Sequence, residues 1–207
     1  MSGQTSTVDR RAALEMRRIV HINEEIKHVV SSAFKINLMA MNAIFLAKRA
    51  GQNALGFGVL SNELRRFAMD LQHQMELLRE TTYSSVATVT SLLKQARLSR
   101  IVDRALQASS GAGRRLIEGQ MRQQRMDQVD RQQEQMAALN RKLSQMIYDT
   151  AQIVELGSVL ARSAKIEAAY GGGFSSPLTQ VSTDFEQIIG EIQRSLDKLN
   201  KTQEASR

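Results

Sequence analysis

The sequence predicts an all-α protein, a long antiparallel four-helix coiled-coil bundle made of two tandem helical hairpins. Three observations predict it. Helix breakers are scarce, with 12 glycines and one proline in 207 residues, most of them gathered in three clusters. Ala, Leu, Gln, Arg, Met and Glu are plentiful, all good helix formers, while aromatics make up only 4%. Apolar residues recur at intervals of three and four, the period of a helix that packs along a seam.

The breakers divide the chain. Gly51 to Gly58 (GQNALGFG), Ala108 to Gly113 (ASSGAG) and Gly171 to Pro177 (GGGFSSP) separate helices expected over about 8–50, 57–108, 114–170 and 177–204. Residues 1–7 are expected to be disordered and 109–113 to be a linker, leaving a first hairpin over 8–108 and a second over 114–204, with tips at 51–58 and 171–177. In the first helix the seam runs Ile19, Ile22, Ile26, Val29, Ala33, Ile36, Ala40, Ala43, Ala47 and Ala50. The second continues with Leu60, Leu64, Phe67, Leu71, Gln74 and Leu78. Side chains shrink toward Gly51, which lets helices approach closely there. The third helix starts weakly: residues 119–135 are rich in Gln, Arg and Asp, with only Met121, Met126 and Val129 apolar, and read as an exposed helix with a thin seam. Ser176-Pro177 is a sound start for the fourth, since serine caps and proline is tolerated at the first helical position.

With no cysteine there is neither a disulfide framework nor a thiolate metal site. No apolar run approaches the roughly 20 residues of a membrane span, and the N-terminus lacks the apolar core of a signal peptide. A cytoplasmic location is expected. The net charge of +7 and recurrent arginines (Arg10, Arg11, Arg17, Arg18, Arg97, Arg100, Arg104, Arg114, Arg115, Arg122, Arg125) suit either contact with nucleic acid or anionic lipid, or a solvated helix surface. Without a dense basic block or aromatic stacking platform, the solvated surface is favoured. No catalytic pattern is present. His21 and His28 are seven apart and His73 lies on another helix, which is not metal-ligand spacing. The GGG and GAG segments follow no strand and precede no Lys-Ser/Thr, so they are not phosphate loops. The chain reads as a non-enzyme without cofactor or small-molecule substrate.

A repeat is visible at a shift of 121 residues, which carries Ala40, Ala43, Ala47, Gly51 and Ser61 onto Ala161, Ala164, Ala168, Gly172 and Ser182. The seam follows, with Leu60, Leu64, Phe67, Leu71, Gln74 and Leu78 falling on Val181, Phe185, Ile188, Ile192, Ser195 and Leu199. Residues 33–68 read AFKINLMAMNAIFLAKRAGQNALGFGVLSNELRRFA. This stretch resembles the cytoplasmic signalling tip of bacterial methyl-accepting chemotaxis receptors, through Asn37, Leu38, Ala40, Asn42, Ala43, Ala47, Arg49, Ala50, Gly51, Gly56, Phe57, Val59, Glu63, Arg65 and Ala68. The second copy, LARSAKIEAAYGG over 160–172, is similar at Leu160, Ala161, Ala164, Ile166, Glu167, Ala168, Ala169 and Gly172. Its returning arm, PLTQVSTDF, departs from the pattern.

The resemblance implies a hairpin tip that packs in a four-helix bundle and engages a coupling protein, a histidine kinase or other receptors. Two hairpins in one chain imply a monomeric pseudo-dimer with weak association through the tips. The expected contact residues are Phe34, Asn42, Leu46, Arg49, Gln52, Phe57 and Val59, with Glu167 and Tyr170 from the second copy; hairpin packing is an equal alternative for Phe34, Phe57 and Val59. Leu46 stands where the family has Glu, and the second copy loses the family's Asn, Arg and Gly-Phe at Ser163, Tyr170, Pro177 and Leu178, so the tips are unequal. The family's methylation sites are Glu or Gln pairs far from the tip; Glu24-Glu25, Gln123-Gln124 and Gln132-Gln133 are better explained as solvated faces. Two other classes stay open, a structural coiled coil without a signalling partner and a basic helical nucleic-acid binder.

Overall fold

A computed structural model describes residues 2–108 and 112–204, with side-chain surroundings for 13–104, 106, 107, 131 and 134–204. Among the described residues the protein is all-α, with no strand. The order is α1 (Ser2–Ala50), a 3-10 turn (Gly51–Ala54), α2 (Leu55–Ala108), α3 (Ala112–Ala169), a second 3-10 turn (Gly172–Phe174) and α4 (Ser175–Glu204). The basic and glutamine-rich part of α3 is helical in backbone, as its helix formers favour; the side chains of Arg114, Arg115, Arg122, Arg125 and the two Gln pairs lie outside the described residues, as do those of Arg10 and Arg11.

The boundaries differ from expectation at four places: α3 begins at Ala112, taking Ala112 and Gly113 from the expected 109–113 linker, whose other residues lie outside the described ones. Helix α1 begins at Ser2 where the sequence suggested residue 8. The first turn ends at Ala54, so Gly56 and Gly58 belong to α2. Helix α4 starts at Ser175, and the Ser175 N–H donates to the Gly172 carbonyl, so the 3-10 turn leads into the helix without a side-chain cap. Pro177 then falls third in α4, within the first turn, where a missing N–H breaks no helical bond.

Two compact units share these helices: Met1–His21 with Thr81–Lys142, and Ile22–Glu80 with Leu143–Arg207. In the second unit all four helices feed one core. It contains the α1 residues Ile22, Ile26, Val29, Ala33, Ile36, Ala40, Ala43 and Ala47, and the α2 residues Phe57, Leu64, Phe67, Ala68, Leu71, Met75 and Leu78. Helix α3 adds Leu143, Ile147, Val154, Ala161, Ala164 and Ala168; α4 adds Leu178, Phe185, Ile189, Ile192, Leu196 and Leu199.

The 121-residue shift relates these positions closely. Gly51 and Gly172, one shift apart, are the two positions with positive φ among the described residues, at 72° and 57°. Phe57 and Leu178 are both fully buried, and so are Ser61 and Ser182. Each serine donates its hydroxyl to the carbonyl four residues back, Ser61 to Phe57 at 2.8 Å and Ser182 to Leu178 at 2.9 Å. A buried hydroxyl needs such a partner. Where the copies differ, size is compensated: Gly157 stands where the first copy has Ile36, and a Cβ there would come within 2.5 Å of the Phe67 ring.

The other unit has a thinner apolar core, Ile19 and Val89 with Val86, Leu93 and Met136 beside them. Polar residues Thr81, Thr82 and Ser85 are also buried. Arg18 is held between Glu15 at 2.7 Å and Asn140 at 2.8 Å.

One observation runs against the expected lack of a spanning-length segment. Within Ala13–Arg104 an 18-residue window is apolar enough, by length and composition, to cross a bilayer, and 33% of it is buried. It arises because α1 is apolar on two faces. Val29, Ala33, Ile36, Ala40 and Ala43 fill the core, while Val30, Phe34, Leu38, Met41 and Phe45 are exposed.

Two glycine substitutions separate backbone from packing effects. Gly51→Ala meets open space but forces a positive φ, and is expected to lower stability by roughly 1–2 kcal/mol. Gly157→Ala drives a methyl into Phe67 and is expected to cost about 1–3 kcal/mol. Gly173→Ala, with normal φ and open space, serves as the neutral control in urea unfolding.

Candidate functional site

The two 3-10 turns adjoin. A Cβ on Gly172 would lie 3.2 Å from the Asn53 side-chain nitrogen. Just behind them, the Glu167 carboxylate occupies the space over Gly56 that a Cβ would need, and a Cβ on Gly58 would touch Ala47 at 3.4 Å. Gly56 and Gly58, expected as turn residues, are helical positions; the missing Cβ at Gly56 leaves room for the Glu167 side chain, whereas a Cβ at Gly58 would make an ordinary contact. Beside them, Gly56, Val59, Leu60, Ser163, Ile166 and Glu167 line an open groove of about 500 Å³.

The nine expected contact residues separate into three groups. Phe34, Asn42, Arg49, Gln52, Val59 and Tyr170 are exposed, Tyr170 at 72% and Val59 at 62%. Leu46 and Glu167, equivalent in the repeat, are both half-buried; Leu46 packs against the core, so it is only partly available for the contact expected of it. Phe57 is fully buried and cannot touch a partner. Its ring turns inward because the 3-10 turn ends early and places it on the core side of the first turn of α2, so packing is its role.

Three exposed residues were not among the expected contacts. Leu38, Met41 and Phe45 are exposed and continue from Phe34 at intervals of four, three and four, which places all four on one face of α1. The signal was in the spacing, one step away from the seam. At the equivalent α3 positions stand Glu155, Val159, Arg162 and Ile166, where charges interrupt the stripe.

His21, His28 and His73 are exposed, and among the described residues no three His, Cys, Asp or Glu side chains converge as for a metal. Of Glu24-Glu25, expected on a solvated face, Glu25 is instead buried and reaches Lys198 at 3.2 Å. Glu24 is exposed; its hydrogen bond to Lys27 at 2.9 Å, with the charge of that ammonium, holds its carboxyl below the usual value.

Comparison of the chain with protein-family models, with curated proteins and with solved structures found no match.

Burial sets the expected mutational pattern. Phe57→Ala should cost about 3–5 kcal/mol, whereas Phe34→Ala and Tyr170→Ala should stay within about 0.5 kcal/mol. Thermal unfolding of the three variants checks the division between core and surface.

Proposed function

We propose that this chain is a chemoreceptor-like signalling or adaptor protein that acts by protein contact. Its partners on this reading are chemosensory array components: a coupling protein, a histidine kinase or receptors. The helices of Ile22–Glu80 and Leu143–Arg207 then form an antiparallel four-helix coiled coil from two tandem hairpins, a pseudo-dimer within one chain. Support for that arrangement comes from the repeat: paired positive-φ glycines, paired buried serines and a seam shared by all four helices.

The observation that carries the functional reading is the exposed apolar stripe Phe34, Leu38, Met41 and Phe45. Four large apolar side chains aligned on one helix face, with Arg49 and Gln52 beyond them, fit a contact patch with a polar rim better than a solvated surface. Aromatic anchors of this type commonly dominate binding energy. The interrupted α3 stripe gives the second copy a weaker or different face.

The test is capture of chemotaxis coupling protein and histidine kinase on the immobilised full chain. Phe34→Glu with Phe45→Glu should reduce capture at least about tenfold while circular dichroism stays unchanged. Leu46→Glu should weaken it less, since that side chain is only partly available and Glu167 shows that a carboxylate fits the equivalent site. Light scattering should find a monomer at micromolar concentration; an obligate dimer at nanomolar concentration would overturn the pseudo-dimer. Failure of both partners to bind would overturn the signalling reading and leave the helical architecture standing.

A further inference from the structure

The net charge is not shared between the two units. By sequence, Met1–His21 with Thr81–Lys142 holds 15 Lys and Arg against 7 Asp and Glu, a net of +8. Ile22–Glu80 with Leu143–Arg207 holds 13 against 14, a net of −1. The whole excess of the protein thus resides in one unit.

In that unit α2 presents a face with a distinctive make-up. Lys94, Arg97, Leu98, Ile101 and Arg104 are all exposed. At about 100° per residue they fall within one arc of roughly 120° on the helix surface. Across the arc the order is Arg104, Arg97, Ile101, Lys94 and Leu98, so Ile101, 55% exposed, sits between Arg97 and Lys94, and Leu98, 56% exposed, lies at the edge beside Lys94. None of the three makes an ion pair among the described residues, whereas several exposed cations of the other unit, such as Lys27, Arg66, Arg79 and Lys165, do. Helix α1 repeats the combination in the same unit, with Leu14 and Val20 exposed on either side of exposed Arg17.

We infer that the Lys94–Arg104 face of α2 is a docking surface for an anionic lipid membrane. Exposed branched aliphatics set beside exposed cations match an interfacial layer, where apolar tips enter the acyl boundary and Lys and Arg reach the headgroup phosphates along their flexible stems. Phosphate recognition on nucleic acid would use the cations but gains nothing from Leu98 and Ile101, and the arc carries no aromatic for base stacking. Charge complementarity supplies the attraction, about fivefold in partition for each cation near an anionic surface. This goes beyond the protein-contact reading, which concerns residues of the other unit, so either can fail alone.

The experiment is flotation of the full chain with phosphatidylcholine vesicles containing about one third phosphatidylserine, against pure phosphatidylcholine. Binding is expected to the anionic vesicles only and to fall as salt is raised. Leu98→Gln with Ile101→Gln should lower the partition about tenfold, and Arg97→Gln with Arg104→Gln by about tenfold or more. Glutamine is a good helix former and all four positions are exposed, so helicity should hold, and circular dichroism verifies it. Equal binding to neutral vesicles, or loss with the arginine pair but none with the aliphatic pair, would overturn the proposal. So would loss through Phe34→Gln with Phe45→Gln in place of the α2 variants, or capture of duplex DNA without capture of vesicles.

Discussion

The unit formed by Ile22–Glu80 and Leu143–Arg207 depends on close approach between helices that have little side chain to fill the space between them. Ala40, Ala43 and Ala47 share one fully enclosed core with Ala161, Ala164 and Ala168. A methyl group reaches only a short distance, so dispersion contacts form only where backbones come near. Gly51 and Gly172 provide the reversals at the ends of these alanine seams, and Gly56 leaves room for the Glu167 side chain against α2. Away from the turns the seam residues grow to Ile22, Ile26, Leu71, Leu78, Leu143 and Leu199, and the core changes from backbone proximity to interdigitated side chains.

On this nearly symmetric interior the chain carries an asymmetric exterior. The first copy sets Phe34, Leu38, Met41 and Phe45 outward; the second sets Glu155, Val159, Arg162 and Ile166. Interior positions are constrained by volume and tolerate few exchanges. Outward positions carry no such constraint, so they are where two copies of a repeat can acquire different surfaces without altering the helices beneath. The charge division follows the same logic at larger scale, with one unit near neutral and the other strongly basic.

Much of the fold was legible in the sequence because the seam spacing is direct physics. Ile22, Ile26, Val29, Ala33, Ile36, Ala40, Ala43 and Ala47 are all buried as their interval requires, and so are Leu64, Phe67, Leu71 and Leu78 on the returning helix. Two kinds of information were hidden. Glycine serves both chain reversal and close packing, and only the position of Glu167 reveals that Gly56 belongs to the second use. A helix apolar on two faces also blurs its own periodicity, so Phe45 looked like background beside the seam. Phe57 was ambiguous because one residue more or less in the turn decides whether its ring points into the core.

The fit between Phe67 and Gly157 has a consequence for pairing. At the position equivalent to Gly157 the first copy has Ile36, so two first copies pairing with each other would set a phenylalanine ring against an isoleucine where this chain offers a bare backbone. Once such a ring-and-gap pair is fixed, neither half is a good mate for itself. Such a pair works as a key and its slot: the linked chain always holds its own complement, whereas either segment alone would meet a second copy of itself with a clash or a gap.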